Sequence, residues 1–209
     1  VPVKTVRQTR TDILADIGAG LSYIWRTKVV LAVLLIGMAT VLFSMPFRFL
    51  LPVFVVDLYG RGSEAFGLMV SMIGMGTLIG SLVIASLGRW RRGLLLIAGT
   101  FVSGVALLLV WLVPFYYMAV VIMVVLGLGE AGRRVLNQAL IMDEVEDKYR
   151  GRVMSVYMMS FGLVPLSALP VGFAIDLLGS RATVGIMGVA LVSISLIVIV
   201  TQKNVRSMQ

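Results

Sequence analysis

The chain has 209 residues, of which 59% are hydrophobic and 13% charged, with a mean hydropathy of +1.03 and a formal net charge of +8. A water-soluble domain carries about 45–50% apolar and about 25% charged residues, so the composition excludes one and indicates a membrane protein. The lack of cysteine and histidine excludes disulfides, thiolate chemistry, histidine proton shuttles and the usual zinc sites.

In chain order, residues 1–28 are polar and basic and begin at Val1 rather than Met, which reads as a linker in a fragment or processed product. From Asp12 to Lys28, Ile13, Ile17, Leu21 and Ile24 recur at helical spacing, the pattern of an amphipathic surface helix. Trp25, Arg26 and Lys28 stand where an interfacial anchor belongs. Six apolar stretches follow, at 29–57, 64–87, 94–114, 116–141, 153–178 and 182–201. Each is long enough to cross a hydrocarbon layer of about 30 Å at about 1.5 Å per residue. Pro46 and Pro52 in the first and Pro165 and Pro170 in the fifth predict bends, which neighbouring helices can accommodate. The domains expected are therefore a linker (1–28), a six-span bundle (29–201) and a tail (202–209).

Basic residues orient the bundle. Lys4, Arg7, Arg10, Arg26, Lys28, Arg89, Arg91, Arg92, Lys148, Arg150, Arg152, Lys203 and Arg206 fall on one side, against Arg61 and Arg181 on the other. The positive-inside rule then makes both termini cytoplasmic. Loop charge of this kind accounts for the high pI without a nucleic-acid partner.

The fourth stretch holds the run Gly129-Glu130-Ala-Gly-Arg133-Arg134-Val-Leu-Asn137-Gln138. At about 100° per residue its polar members fall within an arc of about 140°. Intramembrane charge costs on the order of 2.5–3.5 kcal/mol per group. One account is a water-lined pathway, with Glu130 as proton acceptor and Arg134 meeting an anionic substrate. The other is an intrahelical ion pair from Glu130 to Arg133 or Arg134, with Asn137 and Gln138 bonding neighbouring helices. Arg48 is the remaining intramembrane charge, placed to meet substrate, hold a gate or snorkel outward. Gly67, Gly74, Gly76 and Gly80 in the second stretch read as close-packing positions.

Two helix ends look alike, Gly80 to Gly88 followed by Arg89, Arg91 and Arg92, and Gly172 to Gly179 with Asp176 and Arg181. An offset of 91 or 92 residues between them suggests two three-helix units, inverted because an odd number of spans separates them. The amphipathic linker, the six spans, the basic loop after the second, Asp176-x-x-Gly179-x-Arg181, and Arg150-Gly-Arg152-Val-Met-Ser155 opening the fifth together resemble the C-terminal half of the major facilitator superfamily. Tyr149 to Arg181 looks most like the bacterial multidrug and siderophore (enterobactin) exporter branch. The loop after the second span departs from the family signature, with Ser86 where an acidic residue is expected.

The resemblance implies an all-α polytopic bundle, a 3+3 inverted repeat of six transmembrane helices in a bacterial inner membrane. It would export small amphipathic molecules by alternating access, proton-coupled as an antiporter, with no cofactor and no metal. Gating-loop candidates by resemblance are Gly88, Arg89, Arg91, Arg92, Arg150, Arg152, Asp176 and Arg181. Partners implied are the lipid bilayer, a small-molecule substrate, and an N-terminal six-helix half or a second copy of the chain. Two other readings stay open at this stage: a non-transporting scaffold or assembly subunit, and a half-size transporter acting as a dimer. A membrane enzyme would need a metal cluster or paired acids that the sequence does not display.

Overall fold

A computed structural model describes residues 18, 20–88 and 91–201. After a short helical stretch over 20–26, seven helices follow: α1 (Lys28–Tyr59), α2 (Ser63–Leu87), α3 (Arg92–Leu112), α4 (Tyr116–Glu144), α5 (Asp147–Gly162), α6 (Val164–Leu178) and α7 (Ser180–Thr201). Short connections turn the chain back between successive spans, with α5 and α6 together forming one span. The bundle therefore has a basic end, where the α2–α3 and α4–α5 connections lie, and an opposite end carrying Arg61 and Arg181.

The expected spans map onto this order, with two refinements. The fifth, 153–178, is broken at Leu163 into α5 and α6, just before Pro165. A proline lacks the N–H that would carry the helix ladder through this point. Pro46 and Pro52 do not interrupt α1, which stays one helix. Among the described residues, five stretches are long and apolar enough to cross a membrane: Val41–Tyr59, Ser63–Leu87, Arg92–Leu112, Asp147–Leu178 and Ser180–Val200. The expected fourth span, 116–141, folds as α4, whose 29 residues extend about 43 Å at about 1.5 Å each.

Helix α4 is the hub, packed against α2 and α3 along their lengths and also touching α1 and α5, while α3 packs in turn on α7. Glycine makes these approaches close. A Cβ on Gly76 would strike the Val124 carbonyl, and one on Gly127 the Ile73 carbonyl, so α2 and α4 meet backbone to backbone. Gly99 and Gly129 play the same part between α3 and α4, and Gly104 and Gly188 between α3 and α7. Of the four α2 glycines read as packing positions, Gly76 and Gly80 are, whereas Gly67 and Gly74 face open space.

The two similar helix ends share a positive-φ glycine cap but not their packing. Gly88 and Gly179 cap α2 and α6 with positive φ, +58° and +82°, a region glycine enters without a Cβ clash. Gly80, however, presses on Ala131 and Leu128 of α4, while nothing lies where a Cβ on Gly172 would sit.

Apolar packing falls into two clusters. One, towards the opposite end, contains Phe47, Leu51, Met69, Leu107, Met123 and Leu126. The other, towards the basic end, contains Val33, Leu34, Leu96, Leu136, Leu140 and Val153. Ile24 of the leading stretch is buried in this second cluster while Trp25 is exposed, and Tyr23 stacks on Tyr149 with centroids 4.3 Å apart. Leu21, expected on the buried side with Ile24, is exposed. Ile13, Ile17, Arg89 and the 202–209 tail lie outside the described residues.

Candidate functional site

The two apolar clusters leave a gap at the same level on two facing helices. On α4 one cluster stops at Leu126 and the other resumes at Leu136; on α1 the gap runs from Leu34 to Phe47. A polar belt fills it. Glu130 and Arg133 come from α4, and Ser44 from α1, all buried. Glu130 is the middle residue of α4, about 21 Å from either end at about 1.5 Å per residue.

Arg48 closes the belt. Its Nη1 donates to Glu130 Oε2 at 3.0 Å, across 82 residues of sequence. One turn along, Arg133 Nη2 donates to Ser44 Oγ at 2.9 Å, and its Nε reaches the Gly129 carbonyl at 3.4 Å. Glu130 is therefore ion-paired across to another helix. Burying a charge in the membrane is tolerable when the charge is paired, as Glu130 is with Arg48. The belt borders a cavity of about 40 Å³ lined by Gly37, Val41, Ser44, Met45, Glu130, Arg133, Asn137, Tyr157 and Phe161.

Glu130 and Asn137 line this cavity together with Arg133, and Arg48 reaches it through its ion pair. Gln138 is exposed on another side of α4, so the 140° polar arc spans two environments. The Arg134 side chain lies outside the described residues. Asn137 is 2% exposed, and its Oδ1 has no hydrogen-bond partner.

The gating-loop candidates divide. Arg92 joins the α2–α3 connection to the end of α4, donating to Asp143 Oδ2 at 2.6 Å and to the Gly88 carbonyl at 3.2 Å. Arg91 initiates α3 with φ +42°. Arg150 pairs with Asp147 at 2.5 Å, and the Arg152 guanidinium lies 5.8 Å from the Tyr149 ring centroid. Asp176 and Arg181 are exposed and form no ion pair with each other. At that same end Ser180 Oγ donates instead to Asp57, tying the start of α7 to the end of α1. Sequence periodicity alone finds neither Asp57–Ser180 nor Arg48–Glu130, because both depend on how separate helices are turned towards each other.

No group of histidine, cysteine, aspartate or glutamate able to hold a metal occurs among the described residues. What the belt does offer is a carboxylate beside a guanidinium, next to a partly open cavity halfway along the bundle.

Comparison with known proteins gives the context. A model of the Major Facilitator Superfamily matches residues 33–207. The chain is 30% identical over 149 residues to the staphyloferrin A transporter of Staphylococcus aureus, covering 71% of this chain and 37% of that protein. It is 24% identical over 176 residues to macrolide efflux protein A of Streptococcus pyogenes, covering 83% of this chain and 42% of the relative. The Enterococcus faecalis macrolide efflux protein A is 25% identical over 170 residues, covering 80% and 51%. The matched stretch thus spans between about a third and a half of these relatives. No solved structure matches significantly.

Proposed function

The chain belongs to the Major Facilitator Superfamily, and from that premise we propose that it forms the C-terminal six-helix half of a proton-coupled exporter of small amphipathic molecules such as drugs or siderophores. Membership and relatives make it a multi-pass transporter domain rather than an enzyme. The class of cargo follows the names of the relatives, one a transporter of staphyloferrin A and the others macrolide efflux proteins. An N-terminal half supplies the other wall of the pathway, in keeping with relatives of which this chain matches only a part. The basic end faces the cytoplasm of a bacterial inner membrane.

The observation that carries the proposal is the Arg48–Glu130 pair beside the mid-bundle cavity. Glu130 takes up the proton. In its charged form it holds Arg48, and protonation removes the attraction, so Arg48 is released towards the cavity and α1 is freed from α4. Proton loss restores the pair. Alternating access then arises as this half rocks against its partner.

The test uses the whole transporter in inverted vesicles, reading the accumulation of a fluorescent drug under an imposed pH gradient. Wild-type transport is expected to collapse when a protonophore dissipates the gradient, and Glu130→Gln to lower gradient-driven transport at least tenfold. Unchanged transport in Glu130→Gln would remove Glu130 from the mechanism.

A further inference from the structure

The cavity beside the ion pair contains a second polar feature that proton transfer does not use. Asn137 lies two turns from Glu130 on α4 and is almost completely buried, yet its Oδ1 finds no hydrogen-bond partner. Its amide nitrogen is held against α1 at Gly37, where a Cβ would collide with Nδ2. The side chain is thus fixed from the nitrogen side while its oxygen is left as a buried, unpaired acceptor. A buried acceptor without a donor is destabilising, and so it marks a position where something else supplies one.

The surroundings indicate what that is. Val41, Met45, Tyr157 and Phe161 give the cavity apolar and aromatic walls, with the Tyr157 and Phe161 rings edge to face at 5.4 Å. Methionine adapts to varied apolar shapes, and aromatic faces accept flat or aliphatic bodies alike. One acceptor set in such walls recognises a molecule with an apolar body and an unblocked N–H or O–H. The volume of about 40 Å³ admits a single functional group, since one water needs roughly 10–15 Å³.

We propose that Asn137 Oδ1, positioned by Gly37, is a specificity-determining acceptor that selects transported molecules bearing a free amino, amide or hydroxyl donor over the same molecules with that donor blocked. Taking the ligand as cargo rests on the exporter reading, so the test reads binding without transport. An internal water as sole occupant is the competing outcome. A water would satisfy Oδ1 without discriminating between ligands.

The probes are 7-amino-4-methylcoumarin and 7-dimethylamino-4-methylcoumarin, neutral fluorophores that differ in whether the nitrogen can donate. Each is titrated into the whole transporter in lipid nanodiscs. Wild type is expected to bind the amino compound about tenfold more tightly, the size of one recovered hydrogen bond. Asn137→Leu weakens only the amino compound and abolishes the preference, whereas Asn137→Asp, which keeps an acceptor oxygen, retains it. If Asn137→Leu does not fold, Gly37→Ala displaces the amide from the other helix and is expected to cause the same selective loss. Equal binding of the two probes by wild type, or an equal loss of both in the variants, overturns the proposal. Selective binding without transport of either probe would count against the exporter reading and leave the assignment of Asn137 intact.

Discussion

Glu130 is 7% exposed whereas the Arg48 side chain is 33% exposed, so the two charges depend on each other unequally. Without its partner, Arg48 can turn its long side chain to the open side of the cavity. Glu130 has no such escape, and losing Arg48 strands a carboxylate. Breaking a buried pair from one side costs about 3–5 kcal/mol, whereas replacing both members with apolar residues is often neutral. Arg48→Leu is therefore expected to destabilise the whole transporter by on the order of 3 kcal/mol, and the double change Arg48→Leu with Glu130→Leu to recover most of that loss. Thermal unfolding of wild type, Arg48→Leu, Glu130→Leu and the double variant measures the coupling. Additive effects would mean that the 3.0 Å contact contributes nothing. The polar face itself is legible in the sequence, because Glu130, Arg133 and Asn137 share one helix side at 3.6 residues per turn. The partner is not. Local spacing favours Arg133 and Arg134, and only the facing of α1 towards α4 brings up an arginine from 82 residues away.

At the scale of elements, α4 meets α2 and α3 backbone to backbone at glycines, in addition to the packing of large side chains such as Met69, Leu107, Met123 and Leu126. The distinction between Gly74 and Gly76 makes this testable. They lie about 200° apart round α2 at about 100° per residue, so only one of them can face α4. Gly76→Ala is expected to cost on the order of 2 kcal/mol, since the obstacle is the Val124 carbonyl and a backbone cannot repack as a side chain does. Gly74→Ala, in open space, is expected to be neutral. Unfolding temperatures of the two variants decide it; equal effects would contradict the backbone-contact account. Angular bookkeeping along the sequence separates Gly67 and Gly74 from Gly76 and Gly80, but it does not say which side meets a neighbour. The Arg92–Asp143 tie between α3 and α4 is a different kind of contact, with both side chains part exposed at 20% and 31%. Exposed pairs contribute about 0–1 kcal/mol. Arg92→Gln is accordingly expected to shift unfolding by less than about 1 kcal/mol, and a larger loss would show that the tie is part of the folded core.

For the molecule as a whole, a polytopic helical bundle was legible because each apolar stretch is long enough to cross a membrane. The break at Leu163 was legible from Pro165 as a bend, though not as a separation into two helices. Less legible was the layering: two apolar clusters divided by a polar belt, with α4 carrying the belt through the centre. That layering needs α1 and α4 to interrupt their apolar faces at one depth. A face is read helix by helix, whereas depth depends on how the helices are staggered. Large apolar side chains such as Leu78, Leu82, Leu177 and Val200 remain on the outside, as expected of surfaces that meet lipid. The belt is the level at which a buried carboxylate meets a guanidinium inside the bundle, and under the proposal it is where proton and cargo meet.

The account turns on Glu130 coupling proton movement to transport rather than merely holding helices together. Proteoliposomes containing the whole transporter separate the two roles, because substrate exchange across the membrane needs alternating access but no net proton movement. For Glu130→Gln the account predicts that exchange persists while accumulation driven by a pH gradient is lost. Retention of both activities, with accumulation still following the gradient, would contradict it.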